Sequence, residues 1–120
     1  MGQQVLLIGG IPATGKSYFC RWLAREHGFI HVEVDKPTSP EAQRFLAVLD
    51  ACCRARTMTT AKASLATLEP RLVVDWGFPP EQLPVIEKLK DAGAQLWWFD
   101  GDRDRARAEF VRRGTVPIRC

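Results

Sequence analysis

Val5-Leu6-Leu7-Ile8-Gly9-Gly10-Ile11-Pro12-Ala13-Thr14-Gly15-Lys16-Ser17 is the stretch whose reading decides the fold. Val5 to Ile8 form a short, continuously apolar run, which predicts a strand buried on both faces. From Lys16 to about His27 the apolar residues Phe19, Cys20, Leu23 and Ala24 recur at three- and four-residue spacing. That spacing predicts an amphipathic helix, with Gly28 as its C-terminal stop. Between the two, Gly10 to Ser17 match G-x-x-x-x-G-K-[ST] at every fixed position.

The pattern has a physical meaning. A strand that turns through glycines into a helix aims backbone amides and the positive end of the helix dipole at one point, which attracts an anion. Gly10, Ile11, Pro12, Ala13, Thr14 and Gly15 would cradle the β-phosphate of a nucleoside triphosphate, and Tyr18, next along the helix, is expected to join the nucleotide-binding set. Lys16 would reach the β- and γ-phosphates and the Ser17 hydroxyl would ligate Mg²⁺, so ATP with Mg²⁺ is the expected ligand. At average residue usage a chain of this length matches by chance about once in two hundred. The strand and helix on either side make the match more specific still.

Working outward, the elements alternate. Ile30 to Val34 read as a second strand, and Ser39-Pro40-Glu41 open a helix to about Arg56 with Phe45, Leu46, Leu49 and Cys53 inward. Thr59 or Thr60 caps a shorter helix through Leu68. Leu72 to Val74 read as the third strand, followed by a helix from Pro80 with Leu83, Ile86 and Leu89 as its stripe and Gly93 as its end. Leu96 to Phe99 form the fourth strand, and Asp102 caps a last helix ending near Arg113, stopped by Gly114. Strands joined by helical crossovers imply an α/β fold with a parallel sheet and right-handed connections. Residues 1–120 read as one domain.

Composition narrows the function classes. The chain is 46% hydrophobic and 26% charged with a net charge of +3. No apolar stretch approaches the ~20 residues of a membrane span. The N-terminus lacks a signal peptide's basic and small-residue features, so a cytoplasmic location is expected. Cys20, Cys52, Cys53 and Cys120 have neither C-x-x-C pairing nor histidines at zinc-finger spacing. They read as structural thiols, with Cys20 and Cys52 behaving as small hydrophobes on helices. Six of the twelve arginines lie between Arg103 and Arg119. A nucleic-acid partner would want a stronger basic groove than this charge provides.

In element order the whole chain resembles the small P-loop kinases: nucleoside monophosphate, gluconate and shikimate kinases, polynucleotide 5′-kinases and zeta-type toxins. The resemblance implies a three-layer P-loop NTPase sandwich, a sheet in order 2-3-1-4 continued by a fifth strand, and an acceptor site beside the phosphate cradle. Asp35, directly after the second strand, stands where many such kinases place the carboxylate that receives or orients the acceptor hydroxyl's proton. Plain turn formation before Pro37 is the alternative. Where polynucleotide kinases and zeta-type toxins carry an arginine three residues later, this chain has Thr38. Asp75 resembles the Walker B carboxylate that holds Mg²⁺ directly or through water. Trp76 follows on a loop, where an exposed ring would stack on an acceptor; Trp97, Trp98 and Phe99 read as core. Arg113 resembles a lid arginine, with Glu109 at the place of its usual partner, and Arg107 and Arg112 as substitutes.

The family continues past Gly114 with the rest of the lid, a fifth strand, a loop that packs on the adenine and a final helix, so the chain reads as C-terminally shortened. The fourth strand would then be an exposed edge, a surface for homo-oligomer formation. Two functional readings follow: a kinase transferring the ATP γ-phosphate to a hydroxyl of a small molecule or nucleotide, and an NTP-binding or slow NTPase module without an acceptor.

Overall fold

The protein is described by a computed structural model covering residues 3–10, 16–77, 80–99 and 102–119, with the backbone alone for Pro80, Phe99, Arg103 and residues 113–119. Four strands, β1 (Gln4–Gly10), β2 (Ile30–Glu33), β3 (Arg71–Asp75) and β4 (Gln95–Phe99), form one sheet in the order β2-β3-β1-β4. Every pairing is parallel. The helices are α1 (Lys16–His27), α2 (Pro40–Arg54), α3 (Met58–Leu65), α4 (Leu83–Asp91) and α5 (Arg103–Arg119). The α/β class and the order 2-3-1-4 expected from the sequence are therefore observed.

Side chains alternate across a strand, so β1 feeds two cores at once. Val5 and Leu7 join Leu72 and Val74 of β3 under α2, α3 and α4, around Phe45, Cys52, Leu65, Ile86 and Leu89. Leu6 and Ile8 join Val73 under α1 and α5, around Phe19, Cys20, Leu23 and Phe110. All seven residues of β1 are buried, which accounts for its continuous apolar run. Three layers result, with helices on both faces.

Helix ends follow local chemistry. The Ser39 side chain accepts from the Ala42 amide at 3.1 Å, and Asp102 Oδ1 accepts from the Arg105 amide at 2.9 Å. Each is an N-cap satisfying an orphan amide. Gly28 ends α1 at φ +72°, a conformation a Cβ penalises.

Several expectations are corrected. The cap of α3 is Thr57, whose side chain accepts from the Thr60 amide. On α2 the inward set is Ala42, Phe45, Val48 and Cys52, while Cys53 is exposed. The helical period places 52, rather than 53, beneath 45 and 48. A short 3-10 turn over Pro80–Gln82 precedes α4 and rotates Leu83 outward, to 47% exposure. α5 runs through Gly114 to Arg119. A glycine inside a helix costs only about 1 kcal/mol and does not by itself end it.

No helix among the described residues is long and apolar enough to cross a membrane. Among the described residues β4 pairs with β1 alone and is an edge of the four-stranded sheet, as expected.

Candidate functional site

β1 and β3 are adjacent, with Ile8 level with Asp75. The carboxyl ends of these strands form the sheet edge where an open parallel sheet gathers its ligands. At that edge β1 ends in Gly10 with φ +156°, and α1 begins at Lys16. Ile11, Pro12, Ala13, Thr14 and Gly15 lie outside the described residues. So do Cys120 and the side chains of Phe99 and Arg113.

Asp75 is the centre of what is described. It ends β3, its side chain is 6% exposed, and with Gln4 it is one of two buried polar residues among the described ones. The Lys16 ammonium lies 3.0 Å from Oδ1. The Ser17 hydroxyl donates to Oδ2 at 2.6 Å, and His31 Nε2 lies 3.4 Å from the same oxygen. An ionised carboxylate can only accept, so Nε2 carries the hydrogen in this contact. Burial alone would raise the Asp75 pKa. The hydrogen bonds from His31, Ser17 and Lys16, together with the Lys16 charge, outweigh it and hold the carboxyl down at about 2.

Topology explains the convergence. Register sets His31 level with Val73, and Asp75 lies two residues beyond Val73. All three therefore share the face of the sheet that α1 covers. Lys16 and Cys20 are four residues apart on α1 and fall on one side of that helix. Cys20 Sγ, a His31 ring nitrogen and an Asp75 oxygen lie within 4.8 Å of one another. Burial, then the Asp75 charge, raise the Cys20 thiol pKa well above its ordinary range.

Lys16, Ser17 and Asp75 are thus brought together. Asp35 is exposed, two residues beyond β2, at the same end of the sheet. The preceding Val34 amide donates to the Asp75 carbonyl at 3.2 Å, which ties this loop to the site's rim. Trp76 departs from the acceptor-stacking reading. It is 3% exposed, packs edge-on against Phe45 at 5.8 Å, and its amide donates to the Ile8 carbonyl. The backbone bond continues the β1–β3 ladder by one residue and turns the indole into the α2 core. Trp97 is buried, but Trp98 is 64% exposed, against the expectation of core. It shares a face with Leu96, yet lies further toward the end of the edge strand β4.

On α5, Arg112 pairs with Glu109. Arg107 instead lies over the Tyr18 and Trp22 rings of α1, at 5.6 and 5.4 Å. Arg107 is thus packed against the helix that opens at Lys16. Two site residues escaped sequence reasoning. His31 carried no local signal, being one polar residue on an edge strand. Cys20 satisfied the apolar stripe so well that its thiol chemistry went unread.

The donor set suits Mg²⁺ in kind and in spacing. Two hard oxygens stand side by side, one from a carboxylate that stays ionised down to about pH 2. Their 2.6 Å separation is near the ~2.9 Å between adjacent corners of a Mg²⁺ octahedron, so the residues fit. Compared with known proteins, the chain matches no family model and no curated sequence.

Proposed function

We propose that the protein binds a nucleoside triphosphate, ATP with Mg²⁺, through a P-loop spanning Gly10–Ser17, within a P-loop NTPase sandwich, and acts as a phosphotransferase. One observation carries the reading. The two residues that the sequence pattern assigns to triphosphate and metal, Lys16 and Ser17, meet the same buried carboxylate at 3.0 and 2.6 Å. A buried charge is retained where it is paired or coordinates a metal. In this arrangement Asp75 holds the Lys16 ammonium beside the helix N-terminus. With a triphosphate bound, the ammonium would turn to the phosphates, while Ser17 Oγ and Asp75 would hold the metal. Mg²⁺ would neutralise charge on the transferring phosphoryl group.

Asp35 is the candidate to orient an acceptor hydroxyl and accept its proton, since it is exposed at the same strand ends and its loop is anchored to Asp75. The side chain of Arg113 remains the lid candidate by sequence, and Tyr18 with Arg107 lines the flank of α1. The burial of Trp76 removes the expected aromatic platform for an acceptor ring. That favours keeping a second reading, a triphosphate-binding or slow NTPase module without an acceptor.

The experiment is incubation with ATP labelled at the γ-phosphate, Mg²⁺ and a panel of sugars, nucleosides and 5′-hydroxyl oligonucleotides. Label on one acceptor, lost in Asp35→Asn, supports the kinase. Label released only to water supports the NTPase module. If Mg-ATP neither binds nor raises Tm, and Lys16→Ala changes nothing, the P-loop reading is wrong.

A further inference from the structure

We propose that Cys20, His31 and Asp75 form a binding site for a thiophilic divalent cation of the zinc type, overlapping the Asp75 carboxylate used by Lys16 and Ser17. Three elements supply the ligands: α1 gives the thiol, β2 the imidazole and β3 the carboxylate. Their donor atoms lie within 4.8 Å of one another. Zinc bonds of about 2.0–2.1 Å to nitrogen and oxygen place two such ligands about 3.4 Å apart in a tetrahedron. His31 Nε2 and Asp75 Oδ2 already stand 3.4 Å apart. The longer Zn–S bond allows Sγ to sit somewhat further away, and a movement of about 1 Å closes the set.

The donor types select the metal. Thiolate, imidazole and carboxylate together suit Zn²⁺, and the soft thiolate disfavours Mg²⁺ and Ca²⁺. Three protein ligands leave the fourth tetrahedral position to water. Charge also balances: one thiolate and one carboxylate neutralise a divalent ion in a buried setting. Binding moves two hydrogens. The Cys20 thiol releases its proton to solvent, and His31 shifts its hydrogen from Nε2 to Nδ1 so that Nε2 can coordinate. His31 and Lys16, 15% and 11% exposed, mark the side from which an ion enters.

The consequence is exclusion. Zinc on Oδ2 occupies the oxygen that accepts from Ser17, and its charge repels Lys16 from Oδ1. The zinc-loaded and triphosphate-loaded states then compete for one carboxylate. This last step rests on the proposed triphosphate site; the metal site does not.

Co²⁺ is the probe, because a thiolate ligand gives it a near-ultraviolet charge-transfer band and tetrahedral geometry gives intense visible bands. One equivalent added to the whole chain is expected to produce both. Both are lost in Cys20→Ser and kept in Cys53→Ser, and Zn²⁺ bleaches them. Absence of the bands in the parent protein, or their persistence in Cys20→Ser, overturns the site. Since Cys20 is fully buried and its replacement can disturb folding, His31→Gln provides a second variant that retains the thiol. Cobalt affinity is expected to fall about tenfold or more; unchanged affinity overturns the site equally. Protein loaded with Zn²⁺ and freed of excess metal is expected to bind Mg-ATP only after chelation, and equal binding before chelation refutes the exclusion. If metal-free protein binds no Mg-ATP, the triphosphate reading fails and the cobalt spectrum still decides the metal site.

Discussion

Asp75→Asn tests the electrostatics of the site without any ligand. The substitution keeps shape and removes the charge, leaving the Lys16 ammonium, 11% exposed, without its anionic partner. The carboxyl is held down at about 2, close to two pH units below an ordinary aspartate. At 1.36 kcal/mol per unit, the ionised form contributes about 2 kcal/mol of stability at neutral pH. Breaking a buried ion pair from one side typically costs 3–5 kcal/mol. Ser17 and His31 can still bond to an amide, so the lower part of that range applies. A loss of about 3 kcal/mol lowers Tm by roughly 10 °C in a domain of this size. The pH dependence is the sharper signature. The folded-state pKa is depressed, so the stabilisation is present above the unfolded-state value near 4 and is lost as pH falls toward 2. Denaturant unfolding of parent and variant should therefore differ most at neutral pH and converge across that window. A difference under 1 kcal/mol at pH 7, or a constant difference from pH 5 to pH 2, would refute the stabilising role of the Asp75 charge.

Trp76→Ala is expected to cost about 3–5 kcal/mol, because a buried indole packed on Phe45 leaves a cavity behind. Trp98→Gln, at a side chain 64% exposed, should stay within about 0.5 kcal/mol of the parent. Denaturant titrations of the pair check both, and equal effects would contradict the burial described. Ser39→Ala should cost about 1 kcal/mol through the lost α2 cap, read from the same titrations. For the thiols, burial and the adjacent Asp75 charge push Cys20 well up, whereas Cys53 is exposed. Iodoacetamide at pH 8 followed by peptide mass analysis should label Cys53 long before Cys20. Comparable rates in the folded protein would be inconsistent with this packing.

The parts legible in the sequence were those written in local chemistry. Four apolar residues in succession, a capping serine with proline behind it and an aspartate before a helix each act within a few residues. The elements they specify appear where the sequence places them. Lys16 and Ser17 were legible through their spacing after the first strand, and Asp75 through its place at the end of a buried strand, which resembles the Walker B position. What remained hidden depends on contacts between distant elements. Trp76 is buried against Phe45 of α2, and Trp98 is exposed on an edge strand. Neither fact is contained in the residues beside it. His31 is the strongest case. Its place follows from three things at once: the β2–β3 register, the alternation that puts it on the face of Val73 and Asp75, and the four-residue step that sets Cys20 below Lys16. Local patterns thus fix which residues stand at the strand-to-helix junction. Register decides which further side chains share the Asp75 carboxylate.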